Sequence, residues 1–356
     1  MKNVIFEGSI FLHQRVGGIS KYIKYLNKGI KKHSIRTKIF CPITVNENFG
    51  KINSNEIFFI KLKKIPRFCT ELFYFINNFF TLIYLKIYKP DLIHFSYYNN
   101  FLLKFIDIPY ILTVHDLIHE KLKLRQNKFD KSKLIEKASH IICVSNQTKQ
   151  ELIKFYKVKK EKISVVHSGV EQKIYKKDKK KKIILFVGSR ERYKNFYNFI
   201  IAYGKSKYLT NNYKVICFGE VAFKDKELNL FKKLKIQKKI HFISGDDEKL
   251  NNYYKTSNLF VTTSFHEGFG FTPLEAMRMS CPVICSNIPV FKEILKGACE
   301  FVNPYDQKNI KLKMEILLKS KKKQKVLIKK GLKKVKNFKW DNCYYKTSKI
   351  YENVLK

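Results

Sequence analysis

The sequence predicts an α/β protein built from two parallel, doubly wound sheets, and three observations carry that prediction. Short apolar runs of strand length alternate with longer helical stretches along the chain. The strand runs are continuously apolar, as in strands covered on both faces. The rhythm occurs twice, broken at Glu171–Lys182 (EQKIYKKDKKKK), a lysine-heavy segment that no core could bury. A length of 356 residues fits two domains at about 100–200 residues each.

In order, the first half offers strands at Val4–Phe6, Ile35–Phe40, Asp91–Phe95, Tyr110–His115, His140–Val144 and Ile163–His167. Helical patterns at Ser20–Lys31, Glu71–Tyr88, Lys131–Ala138 and Gln147–Tyr156 separate them. The second half restarts with strands at Ile183–Val187, Lys214–Phe218, Ile240–Ile243, Leu259–Thr262 and Pro282–Cys285. Helices are expected at Asn195–Lys205, Lys224–Leu234, Glu248–Thr256, Pro273–Met279 and through the Lys/Leu-rich tail. Trp340–Leu355 spaces its apolar residues as a terminal helix with something apolar to cover. The predicted division is residues 1–170, a linker at 171–182, residues 183–335, and a terminal helix at 336–356 packing back on the first domain. Ligands of open α/β sheets sit beyond the carboxyl ends of the strands, so two such domains would face a common cleft.

A hydrophobic content of 45% with 15% aromatics excludes a disordered or collagen-like chain. The net charge of +43 favours anionic partners, although lysine is abundant everywhere and part of the charge reads as compositional bias. No nucleic-acid-binding module is recognisable, and the lysines are scattered. Eight cysteines are too few for a disulfide scaffold. Cys143, Cys217 and Cys285 lie in strand-like runs and read as small core residues, and the Cys281–Cys285 spacing suits neither a redox pair nor zinc. The start, MKNVIFEGSIF, reads as a first strand rather than a signal peptide, and a reducing cytoplasm fits. Leu72–Tyr88 is strongly apolar with Lys61, Lys63, Lys64 and Arg67 before it, and it admits a buried helix, a membrane-surface helix or a span. Its length and its Asn77, Asn78, Thr81 and Lys86 disfavour the span.

The chemistry concentrates in Thr263–Asn287 (TSFHEGFGFTPLEAMRMSCPVICSN). The run leaves a strand, passes a glycine-rich loop and opens a helix at Thr272-Pro273. Gly268 and Gly270 would let a ligand approach the backbone, and the helix start would offer unpaired amides to an anion. Glu267 and Glu275 are suited to the vicinal hydroxyls of a ribose or hexose. Thr272-x-x-Glu275 also reads as a capping box with Pro273 at the first helical position, which by itself would explain Thr, Pro and Glu. A P-loop, a complete GxGxxG, a D-x-D and a GxSxG are all missing from the sequence.

EGFGFTPLE, from Glu267 to Glu275, resembles the E-x7-E motif of retaining glycosyltransferases of family 4, which have two Rossmann-like domains in the glycosyltransferase-B fold. Four further segments are similar to the family in its order: Val16–Tyr22 (VGGISKY), Thr113–Leu117 (TVHDL), Val166–Val170 (VHSGV) and Val187–Phe196 (VGSRERYKNF). The resemblance implies that Glu275 binds the ribose and Glu267 the donor sugar. Backbone amides of Phe271 and Thr272 would hold the phosphates, within the loop of Gly268, Phe269 and Gly270. Lys194 would hold the diphosphate, Gly17 and Gly18 would meet it from the other domain, and His115 would lie near the transferred sugar. Where the family often has arginine after the glycine of the basic loop, this chain has Ser189, so Arg190 or Arg192 would supply the second cation.

The implied activity is retaining, metal-independent transfer of a hexose, with mannose a candidate, from a nucleotide diphosphate sugar to a glycan or lipid-linked acceptor. No cofactor is expected. The implied setting is bacterial surface polysaccharide or lipopolysaccharide synthesis, by a cytoplasmic protein peripheral on the inner face of an anionic membrane. The alternatives are a nucleotide-sugar epimerase or other non-transferase on the same fold, or a basic nucleic-acid- or membrane-binding protein without catalysis.

Overall fold

The computed structural model describes residues 1–30, 35–47, 49, 55–95, 97–122, 131–173, 175 and 179–356. The chain divides into two units, Met1–Gly169 with Trp340–Lys356, and Val170–Lys339. Parts of the linker expected at 171–182, and Lys31 at the end of one expected helix, lie outside the described residues.

In the first unit the strands are β1 (Lys2–Glu7), β2 (Ile35–Phe40), β3 (Ile43–Thr44), β4 (Glu56–Ile57), β5 (Ile60–Lys61), β6 (Leu92–Phe95), β7 (Tyr110–Val114), β8 (His140–Cys143) and β9 (Ile163–Val165). They form a sheet in the order β4-β2-β1-β6-β7-β8-β9, with β3 and β5 paired separately. Every pairing in the sheet is parallel. The chain winds outwards from β1 in one direction and then, from β6, in the other. Helices cover both faces, so β6 and β7 are buried throughout.

The second unit repeats the plan with β10 (Ile183–Val187), β11 (Lys214–Phe218), β12 (Ile240–Ile243), β13 (Leu259–Thr262), β14 (Val283–Ser286) and β15 (Glu300–Val302). Their order is β12-β11-β10-β13-β14-β15, again all parallel. The switch of winding direction falls between β10 and β13, and a ligand of such a sheet sits there, beyond the strand ends. The strand β15 is absent from the sequence prediction because three residues opening on a glutamate carry no periodicity.

The terminal helix Trp340–Val354 lies against helix Gly18–Ile30 within the first unit. Trp340 stacks on Tyr25 at 4.8 Å, and a Cβ on Gly29 would fall inside the Tyr344 ring, so this contact depends on a bare backbone. The long apolar segment forms helix Thr70–Tyr88, and none of its length is a membrane span: among the described residues no helix is long and apolar enough to cross a membrane. Its orientation is unexpected. The face turned to the protein carries Asn77, Asn78, Thr81 and Leu85.

Candidate functional site

The residues singled out in the second half converge on the switch point of its sheet. β10 and β13 are neighbours, and the loops that follow them, Gly188–Asn195 and Thr263–Gly270, run side by side. They are joined by backbone and side-chain bonds. Phe265 N–H donates to the Tyr193 carbonyl at 2.8 Å. Asn195 Nδ2 donates to the Thr263 carbonyl at 3.0 Å and to Pro304 O at 2.7 Å, and Thr263 Oγ1 donates to Asn195 O at 3.0 Å. Asn195 sits at φ 54°, a left-handed conformation that asparagine tolerates better than most residues.

Those bonds set Lys194 beside Glu267. Lys194 Nζ donates to Glu267 Oε1 at 2.7 Å, and Ser264 Oγ donates to the same oxygen at 2.7 Å. The two charged side chains are 20% and 16% exposed, so the pair is sheltered yet open to a ligand. Sequence reasoning missed Asn195 and Ser264. The only signal for them was adjacency, one following Lys194 and the other three residues before Glu267.

The helix after the glycine loop starts earlier than expected, at Phe271, and runs to Arg278. Gly270 is its N-cap at φ 118°, and no side chain caps it. The Thr272–Glu275 capping box therefore does not form. Gly270 alone can take that backbone conformation, and it turns the chain into the helix two residues before Thr272 could cap it. The first amides, Phe271 and Thr272 among them, lie in the turn where no intrahelical acceptor exists. Glu275, one turn on, is half-buried, and its charge adds to burial in pushing the Tyr254 phenol well up. Gly268 is half-buried. The Phe269 side chain is packed away at 4% exposure, edge-on to Phe271 and Phe338, and anchors the loop.

The two arginines separate. Arg190 Nε donates to Glu227 Oε1 at 2.7 Å, and its Nη2 donates to the Val221 and Ala222 carbonyls at 2.8 and 2.7 Å. With side chains 5% and 3% exposed, Arg190 and Glu227 form a buried ion pair. Arg190 was expected as a candidate cation for the diphosphate, but its guanidinium is turned inward and committed to this pair. Arg192 is exposed.

In the first unit, Gly17 and the exposed Gly18 stand at the start of helix Gly18–Ile30, where Ser20 Oγ donates to Gly17 O at 3.0 Å. His115 follows β7. Its Nε2 is buried with no hydrogen-bond partner among the described residues, and the Tyr22 ring meets it edge-on at 5.0 Å. Burial pushes the imidazole down to about 3, so it is neutral near pH 7.

Fold and loops together define a two-domain α/β protein whose second sheet carries two stitched polar loops at its switch point. Two family models match it in tandem: "Glycosyltransferase Family 4" over residues 16–173 and "Glycosyl transferases group 1" over residues 167–334. The chain belongs to the family-4 type of glycosyltransferases. The O-antigen chain mannosyltransferase RfbU of Salmonella typhimurium is 32% identical over 178 residues, 49% of this chain and 50% of that protein. The chain thus spans about half the length of this relative. Among solved structures, sucrose-phosphate synthase from Thermosynechococcus elongatus superposes with a TM-score of 0.81 at 19% identity, covering 99% of both chains. HepE from Anabaena, in complex with UDP and glucose, superposes with a TM-score of 0.78 at 12% identity, covering 99% of this chain and 100% of that one. At these identities the superpositions establish the glycosyltransferase-B fold.

Proposed function

We propose that the protein is a retaining, metal-independent hexosyltransferase. It moves a hexose from a nucleotide diphosphate sugar to a glycan or lipid-linked acceptor in bacterial surface polysaccharide synthesis, on the inner face of the cytoplasmic membrane. RfbU, a mannosyltransferase, makes mannose the first sugar to test. The observation that carries this reading is the Lys194–Glu267 pair held between two stitched loops, beside a helix start whose cap is a glycine. HepE, of the same fold, is described with UDP and glucose bound.

When the anomeric bond breaks, negative charge builds on the departing nucleoside diphosphate. Preorganised cations and amides stabilise it most effectively because they need not reorient. In this reading Lys194, Arg192 and the amides of Phe271 and Thr272 supply that field. Gly268 and Gly270 let the phosphates approach the backbone. Glu275 takes the ribose hydroxyls. Glu267 exchanges its contact with Lys194 for hydroxyls of the sugar. The roles that the family resemblance gives Gly17, Gly18 and His115 belong to the same proposal, with a neutral imidazole suited to a hydrogen bond with a sugar hydroxyl. Retention follows a front-face route in which the leaving phosphate helps remove the acceptor proton.

The test is a screen of nucleotide sugars for consumption, followed by NMR of the product's anomeric centre, with and without EDTA. The reading expects one nucleotide hexose consumed, its anomeric configuration kept and no loss with chelator. Sugar isomerised without transfer would show an epimerase instead. Inversion or chelator sensitivity would remove the corresponding part of the proposal.

A further inference from the structure

Helix Thr70–Tyr88 turns polar residues inward along its middle, while Leu85 and the partly buried Leu82, Tyr84 and Tyr88 pack on the core towards its end. Its polar residues hold it to the first unit: Asn77 Oδ1 accepts from Ile43 N–H at 3.1 Å, Asn99 Nδ2 donates to Asn78 Oδ1 at 2.8 Å, and Tyr74 OH donates to Asn99 Oδ1 at 2.8 Å. Asn78 is wholly buried and Asn77 nearly so. The opposite face, at spacings of three and four residues, presents Leu72, Phe75, Phe79, Phe80, Ile83 and Ile87, with exposures from 39% to 78%. A helix seated on a water-soluble surface shows the reverse arrangement.

The apolar face continues beyond the helix. Phe59, itself 59% exposed, meets Phe80 edge-on at 5.6 Å. On the other side Phe75 contacts Phe101 at 6.0 Å, and Phe101 contacts the exposed Phe105 at 5.3 Å. A contiguous aromatic surface of this kind marks an interaction site. Its surroundings are basic, with Lys63, Lys64, Lys86, Lys89 and Lys104 exposed against Glu71 and Asp107.

We propose that this face is a docking surface for an anionic lipid bilayer, with helix Thr70–Tyr88 lying in the headgroup region and its aromatic face turned into the acyl boundary. The combination of an apolar face and a lysine border fits a negatively charged leaflet. A second copy of the chain fits less well, because two such faces meeting would set lysine borders of one sign against each other. The docking itself stands on the geometry of the face. Its purpose, to bring the first unit to a lipid-borne acceptor, rests on the proposed function.

The test is flotation of the full chain with vesicles of phosphatidylcholine alone or mixed with phosphatidylglycerol, at low and high salt. Wild type should float with the mixed vesicles, and less so at high salt. Phe79→Ser with Ile83→Ser should lower the partition constant by at least an order of magnitude, and Lys63→Glu with Lys64→Glu should abolish the preference for phosphatidylglycerol. Both side chains of the first pair point outward, so the melting temperature and nucleotide-sugar hydrolysis in solution should stay at wild-type values. No flotation, equal flotation by the serine variant, or a lipid-free dimer dissolved by that variant would overturn the proposal. Hydrolysis without flotation would sink the docking surface and the membrane location with it, and leave the proposed hexosyl transfer standing; flotation without hydrolysis of any nucleotide sugar would do the opposite.

Discussion

Lys194 and Glu267 neutralise each other at 2.7 Å, and a diphosphate would compete with the carboxylate for the same ammonium. A charge needed chiefly as the diphosphate departs acts on turnover more than on binding. Lys194→Ala is therefore expected to lower turnover by about two to three orders of magnitude, as for loss of one transition-state donor, with a smaller change in KM. Steady-state kinetics on the donor that the screen identifies would show it. For the arginines, the buried Arg190–Glu227 pair favours Arg192 as the second cation of the proposed site. Arg192→Ala should impair transfer at an unchanged melting temperature. Arg190→Ala strands the Glu227 carboxylate inside the fold and should cost about 3–5 kcal/mol of stability while the folded fraction keeps its activity. Urea melts beside transfer assays separate the two, and the reverse pattern would put Arg190 on the diphosphate. Lys194 and Glu267 were visible in the sequence as a lysine in a basic loop and an acid before glycines. The direction of Arg190 was not, because its partner lies 37 residues away on another element and local pattern carries no information on that pairing.

At the scale of elements, helix Phe271–Arg278 depends on Gly270 at φ 118°, a conformation strained for any L side chain. Gly270→Ala should cost about 1–3 kcal/mol and also weaken nucleotide binding, because the amides it aims would shift. Gly297→Ala is the matched control: it too sits at positive φ, at 81°, but outside the loops of the proposed site, and it should lose stability with nucleotide affinity intact. Equal affinity in both variants would show that the helix start does not hold the phosphates. The sequence placed this helix within two residues but misread its cap. A Thr-x-x-Glu spacing looks the same whether or not the threonine precedes the helix, and only the backbone angle at Gly270 decides. Helix Thr70–Tyr88 shows a related limit. Its apolar spacing was plain, yet the inward face was not, because the asparagines find partners only in the folded unit.

Across the whole molecule, two parallel sheets, each winding both ways from its first strand, were legible because covered strands write uninterrupted apolar runs. That residues 340–355 form a helix with an apolar face to cover was legible from their spacing, whereas its seat on Gly29 was not, since a lone glycine in a helix announces no partner. The first unit also carries a pH liability. His94, bonded through Nε2 to Thr113 Oγ1 at 2.7 Å and through Nδ1 to the Tyr351 hydroxyl, is held at about 3, by burial first and then by the neighbouring His115. His115 is held at about 3 by burial. Both ordinarily titrate at 6.5, so the unfolded chain takes up protons first as the pH falls. Their contribution to stability is complete above the unfolded value and declines below it towards the folded one, by up to about 1.4 kcal/mol per pH unit for each imidazole. Thermal melts should be level from about pH 8 to 7 and fall steadily from about pH 6 to 4, and a flat profile would show that these rings are not held neutral.

The loops at the switch point of the second sheet are proposed to hold a nucleoside diphosphate, and a thermal melt of the full chain with nucleoside diphosphates tests this without any knowledge of the donor sugar. A ligand at 100 times its Kd adds about 2.7 kcal/mol to the stability of the state that binds it. For a unit of this size that raises the melting temperature by about 5–10 °C. Such a rise is expected with at least one nucleoside diphosphate, much reduced in Glu275→Ala and little changed in Phe79→Ser. Glu275 can be replaced outright, because the helix cap is Gly270 and not a threonine–glutamate box. No rise with any nucleoside diphosphate, or an undiminished rise in Glu275→Ala, would contradict it.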